Sequence, residues 1–82
     1  MNNWDTHDNH LVRKVRTSDF ISGLNLVTAI ASEAEDLQHH PDIKLGWGYL
    51  EIVLTTHDKK SLTPKDYELA ERIDKLIEMF KF

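Results

Sequence analysis

Histidine is the residue type best equipped to do chemistry in this chain. There are five in 82 residues, and imidazole, whose ordinary pKa lies closest to neutral, can both give and take a proton. His7 and His10 sit near the start, His39 and His40 are adjacent, and His57 stands alone. Two carboxylates fall where they could serve these rings: Glu35 just before the His39-His40 pair, and Asp66 after His57. A carboxylate beside an imidazole stabilises the protonated ring and selects which nitrogen carries the hydrogen. The chemistry of such a set is proton transfer. With no cysteine anywhere, a thiol nucleophile and a Cys/His metal pattern are both absent. His39, His40 and His57 as a zinc or copper site is the metal alternative, but adjacent histidines rarely turn toward one ion, and the sequence is read as needing neither metal nor cofactor.

Each of these residues also has an ordinary explanation. An imidazole near a helix C-terminus is favoured by the helix dipole, which covers His39 and His40. His57 could simply end a strand, and Glu35 could be an exposed helical residue. Asp66 fits a helix-start box completely, reaching back to a free amide of the first turn. His7 and His10 lie close to the N-terminus and read as solvent-exposed bystanders.

The elements that must position these groups follow from periodicity. From His10 to Arg16, Val12 and Val15 among long polar side chains suit a half-exposed strand. Thr17-Ser18-Asp19 offers cap residues, with Ser18 or Thr17 as the cap, for a helix over about residues 18–38. On that helix Phe20, Leu24, Val27, Ala31 and Ala34 recur at three- and four-residue steps, predicting the stripe that lies on a sheet. Leu26, Ile30 and Leu37 form a second stripe beside it, and so wide an apolar arc predicts cover by a partner subunit. Pro41 disfavours helix at the residue before it, placing His39 and His40 at the helix end or just past it.

Ile43, Leu45 and Trp47 alternate with polar or small residues, and Leu50 to Thr56 reads as a strand. Gly46 and Gly48 between them predict a tight hairpin, with Trp47 packed against it. Thr63-Pro64-Lys65-Asp66 announces the last helix, with Thr63 as cap and Pro64 at the first helical position. Leu69, Ile73, Leu76 and Phe80 then share one face, and Glu68, Glu71, Arg72, Asp74, Lys75 and Glu78 are assigned to solvent. Strands interleaved with helices, without regular parallel crossovers, predict an α+β fold with helices layered on an antiparallel sheet.

Size and charge bound what the fold can do. A chain of 82 residues is a single domain spanning 1–82, because so small a core leaves none for a second. Without disulfides, self-association is the expected route to added stability, and cysteine-free composition fits a reducing compartment, read as the cytoplasm. No apolar run reaches the length of about 18 residues that a membrane span needs. A net charge of -4 argues against a nucleic-acid partner. Arg13-Lys14-Val15-Arg16 is the one locally basic stretch and reads as the polar face of a strand.

The joint spacing says more than any residue alone. The pattern Glu35-x3-His39-His40-Pro41-x5-Trp47-x9-His57-x8-Asp66 resembles that of the pterin-4a-carbinolamine dehydratase family, also known for its dimerisation-cofactor members. The likeness runs from about Leu11 to the end of the last helix, through Thr55-Thr56-His57, Leu62-Thr63, Leu69-Ala70 and Ile73-Asp74. It implies a four-stranded antiparallel sheet with helices packed on one face, here without the helix that relatives carry ahead of the first strand. It implies a homodimer or homotetramer acting on a pterin, with dehydration of a 4a-hydroxytetrahydropterin to the quinonoid dihydropterin and water. Carried over residue by residue, His39 and His57 are the proton-transfer pair and Asp66 completes the catalytic set by supporting an imidazole. His40, Pro41 and Glu35 form the substrate-binding side, with Pro41 aiming both adjacent histidines inward. Two departures stand out: the loop Asp58-Lys59-Lys60-Ser61 lacks a glycine common in relatives, and Ile43 replaces an aromatic residue found in some. The competing reading is a non-catalytic dimerisation or protein-binding module of the same fold.

Overall fold

The computed structural model describes residues 3–80. Its elements run β1 (Asp5–His7), β2 (His10–Arg16), α1 (Phe20–Leu37), β3 (Asp42–Gly46), β4 (Tyr49–Leu54) and α2 (Pro64–Phe80). The strands form one antiparallel sheet in the order β1-β2-β4-β3, so the fold is α+β as the sequence predicts.

The sheet alternates as a half-buried sheet must. Leu11 and Val15 of β2, with Leu50, Ile52 and Leu54 of β4, point inward and join Leu26, Ile30 and Ala34 of α1 and Leu69, Ala70 and Ile73 of α2 in one core. Burying each large aliphatic side chain is worth about 1.5–3 kcal/mol. The outward row Lys14-Glu51-Lys44 is polar, with Lys14 Nζ 3.7 Å from Glu51.

Both helices begin at identifiable side chains, although α1 is capped one residue later than expected. Asp19, extended at φ -161°, accepts from the Ser22 amide at 2.8 Å, whereas Ser18 bonds the Ser22 hydroxyl and Thr17 the Asp19 carbonyl. The rotation of α1 also differs from expectation. Gly23, Leu26, Ile30 and Ala34 face the core, while Phe20 and Leu24 of the expected sheet-facing stripe are exposed, as is Ala31. In this rotation Arg72 of α2 donates to Glu33 at 3.0 Å and to Asp36 at 2.7 Å. Gly23 supplies a constraint, since a Cβ there would stand 2.7 Å from Leu45. Arg72 and Asp74, assigned to solvent, are half-buried; Asp74 accepts from Trp4 Nε1 at 2.7 Å and from Arg13.

The segment ahead of β2 forms a strand rather than a frayed end. His7 and His10 pair across a two-residue turn in which Asp8 and Asn9 have φ of 47° and 62°, the left-handed pair that suits a tight hairpin. At the other hairpin Gly48 supplies the positive φ, 80°. Trp47 does not pack there: it is 75% exposed, and the Tyr49 ring covers Gly46 instead, within 2.5 Å of where a Cβ would lie.

Candidate active site

Three chain segments meet at one end of the sheet. Helix α1 stops because Gln38 adopts a left-handed conformation at φ 52°, its amide turned back to the carbonyls of Ala34 and Glu35, and the His39 amide follows to Ala34 at 3.1 Å. Such a cap satisfies carbonyls that would otherwise be orphaned and swings the next two residues off the helix axis. Gln38, more than Pro41, therefore makes the turn. It sends the two histidines different ways: the His39 side chain is 10% exposed, the His40 side chain 58%. His40 hydrogen-bonds Glu35 one turn back on α1. Pro41 is half-buried and leads into β3.

Asp66 answers His39 from the first turn of α2. It is fully buried, and its two oxygens divide the work. Oδ1 lies 2.5 Å from His39 Nε2. Oδ2 accepts from the Thr63 amide at 2.9 Å, closing the helix-start box, and from the Thr56 hydroxyl at 2.8 Å. The Thr63 hydroxyl meets that of Thr56 at 2.7 Å. The ordinary and the chemical explanations of Asp66 are thus both satisfied by one carboxylate. Burial pushes its pKa up, but the hydrogen bonds from His39, the Thr63 amide and Thr56, with the charge of His39, outweigh burial and hold it below the ordinary 3.8. An ionised carboxylate can only accept, so His39 Nε2 carries a hydrogen and Nδ1 is the nitrogen left to exchange protons.

His57 follows the end of β4 in a tight turn. Its side chain is 71% exposed, with Nε2 3.7 Å from Asp42 at the start of β3. The sequence brings His57 no visible partner; Asp42 is found only because β3 and β4 pair, setting Asp42 against Val53. His39, His40 and His57 line one cavity of about 210 Å³ with Gln38, Thr55, Thr56 and Asp58. A second cavity, of about 270 Å³, shares Thr55 and His57 with it and continues to Asp8, His10 and Lys60.

Of the residues singled out from sequence, His39, His40 and His57 share the first cavity, and Asp66 and Glu35 each hold one of its imidazoles. Pro41 lies outside the lining, and Ile43 packs against the core. Thr56 was not foreseen. In sequence it stands only as part of the Thr55-Thr56-His57 likeness, with no role attached.

The arrangement can present two proton-exchanging rings at one cavity, one held by a buried carboxylate and one exposed to solvent. The family model described as pterin 4 alpha carbinolamine dehydratase matches residues 1–76. The chain belongs to the pterin-4-alpha-carbinolamine dehydratase family. A provisionally named family member from Natronomonas pharaonis is 39% identical over 75 residues, 92% of this chain and 82% of that one. Another from Mycolicibacterium vanbaalenii is 36% identical, covering 94% and 83%. Among solved structures, a transcriptional coactivator/pterin dehydratase from Brucella melitensis superposes with a TM-score of 0.86 at 23% identity, over 92% of this chain and 82% of that one. A pterin dehydratase-like protein described as a RuBisCO assembly factor in the alpha-carboxysome superposes at 0.71 with 20% identity, over 89% and 84%. These two establish the shared fold. Among the described residues no helix is long and apolar enough to cross a membrane.

Proposed function

We propose that this protein dehydrates a 4a-hydroxytetrahydropterin to the quinonoid dihydropterin, with His39 and His57 as the proton-transfer pair. The C4a–O bond breaks as the hydroxyl takes a proton and leaves as water. The N5 lone pair forms the C4a=N5 bond, and N5 gives up its hydrogen. One proton is delivered and one withdrawn, so an acid and a base suffice. His39, with Nε2–H held by Asp66, is suited to take the N5 proton at Nδ1, because the carboxylate stabilises the imidazolium that forms. His57 then protonates the hydroxyl, and its exposure lets it reload from solvent. Asp66 is a positioning residue, and His40, held by Glu35, shapes the side where the ring lies.

The observation that carries this reading is the buried Asp66–His39 pair opening on a cavity that His57 also lines. Exposed large apolar side chains on α1, Phe20, Ile21 and Leu24, support a homodimer or homotetramer in which a second copy covers them, and the cytoplasm is the compartment proposed.

Stopped-flow dehydration of freshly generated carbinolamine tests the reading through the pH–rate profiles of His39→Ala and His57→Ala. Removing the base should abolish the acid-side limb and removing the acid the alkaline limb, with turnover down by roughly a hundredfold in each. Folded wild-type protein that leaves the uncatalysed rate unchanged would sink the enzyme and favour the non-catalytic binding module.

A further inference from the structure

The turn that carries His57 is joined to the Asp66–His39 pair by the side chain of Thr56. The Thr56 backbone is held on both sides, its amide donating to the Ser61 carbonyl at 3.1 Å and its carbonyl accepting from the Lys59 amide at 3.1 Å. Its side chain therefore starts from a fixed point. Thr56 is half-buried, lines the cavity of the three histidines and donates its hydroxyl to Asp66 Oδ2 at 2.8 Å.

A hydroxyl has one hydrogen to give. Because an ionised Asp66 can only accept, the Thr56 hydrogen is committed to it, and the 2.7 Å contact between the Thr56 and Thr63 hydroxyls must run from Thr63 to Thr56. The result is a chain of fixed direction, from Thr63 to Thr56 to Asp66, in which the first bond polarises the second and strengthens it. The helix-start box accounts for the Thr63 amide on the same oxygen at 2.9 Å, but not for the hydroxyl of Thr56, which lies outside α2. Each donor on Oδ2 draws charge from the carboxylate and leaves less of it on Oδ1, the oxygen at His39 Nε2. Asp66 thus holds an imidazolium less tightly than a buried carboxylate without these donors would. That matters for a base used repeatedly, since one that binds its proton too well is slow to return it.

We propose that Thr56 is a positioning residue of the proton-transfer pair, its hydroxyl, held in turn by that of Thr63, tempering the Asp66 carboxylate so that His39 gives back the proton it takes. This deepens the reading above and rests on it for the identity of the proton that moves. The other titratable groups of this corner, His40, His57 and Asp58 at the cavity and Lys59 and Lys65 beside Thr56 and Thr63, are left in place by the substitutions that test it.

Thr56→Val keeps the shape of the side chain and removes the hydroxyl, whereas Thr56→Ser keeps the hydroxyl and removes the methyl. Proton NMR of the hydrogen on His39 Nε2 reads the Asp66–His39 bond without requiring turnover, and stopped-flow dehydration gives the pH–rate profile. With one donor fewer on Asp66, Thr56→Val should move that hydrogen downfield, as a stronger acceptor does. It should also carry the acid-side limb of the profile to higher pH by roughly half to one unit, a fraction of what a full neighbouring charge produces. Thr56→Ser should leave both near their wild-type positions. A folded Thr56→Val protein in which neither moves, or a Thr56→Ser protein in which both move as far, would overturn the role of the hydroxyl while leaving the pterin reading intact. A hydrogen that moves as expected in protein whose wild type leaves dehydration uncatalysed would sink the pterin reading and keep the effect of Thr56 on the pair.

Discussion

Replacing Asp66 by asparagine changes one atom and should reverse the direction of a hydrogen bond. The carboxylate accepts from three donors, His39 Nε2, the Thr63 amide and the Thr56 hydroxyl. An asparagine side chain has one oxygen and one NH2. Two donors converge on Oδ2, one of them a backbone amide at a helix start, so the amide oxygen belongs there. The NH2 then faces His39 Nε2, which must become an acceptor, moving the ring hydrogen to Nδ1. His39 loses the lone pair it would turn to N5. Turnover should fall by roughly a hundredfold or more, the range that a general base supplies. Stability should fall by about 1.5–3 kcal/mol for the lost charge-assisted bond, the other two persisting as neutral ones. Stopped-flow dehydration gives the first number and urea unfolding the second. Asp66→Asn protein that is folded and turns over within about threefold of wild type would refute the tautomer argument, whatever its stability.

Three other outcomes follow from the structure. Because the Asp66 carboxyl titrates below its ordinary 3.8 in the fold, its ionised form contributes stability at higher pH. That stability is lost as pH falls from about this value through the folded one; urea midpoints measured from pH 6 downward should drop in that window for wild type and less for Asp66→Asn. Asp74→Ala strands the indole N–H of buried Trp4 and the Arg13 guanidinium, so it should cost about 1–3 kcal/mol in urea unfolding while dehydration is unaffected; a loss under about 0.5 kcal/mol would show the network to be dispensable. Under the homo-oligomer proposed above, Leu24→Glu, which places a charge on the exposed stripe of α1, should reduce the sedimentation mass toward that of the monomer. An unchanged mass would place the contact elsewhere.

What could be read from the sequence was local and chemically marked. The start of α2 was legible because Thr63, Pro64 and Asp66 each answer a need of a helix's first turn. The end of α1 was legible from Pro41. The rotation of α1 was not, because its apolar residues cover so wide an arc that periodicity allows more than one face inward, and the choice depends on packing against the sheet and α2. For the same reason Asp74 was misassigned: on its own helix it reads as solvated, and only the fold brings Trp4 and Arg13 to it. The Asp8-Asn9 turn did carry a signal, two residue types that tolerate positive φ between His7 and His10, but proximity to the N-terminus masked it. At the site, the spacing singled out His39, His57 and Asp66 as candidates, whereas the hydrogen bond of the Thr56 hydroxyl to Asp66 and the approach of Asp42 to His57 depend on the fold.

The proposed function requires a pterin ring to lie with its C4a–N5 edge between His39 and His57. A crystal structure with a non-reactive dihydropterin tests it most directly. It should show His39 Nδ1 within hydrogen-bonding distance of N5, the Asp66–His39 bond unbroken and His57 on the side of C4a. A ring bound away from the cavity of His39, His40 and His57, or His39 released from Asp66 in the complex, would contradict it.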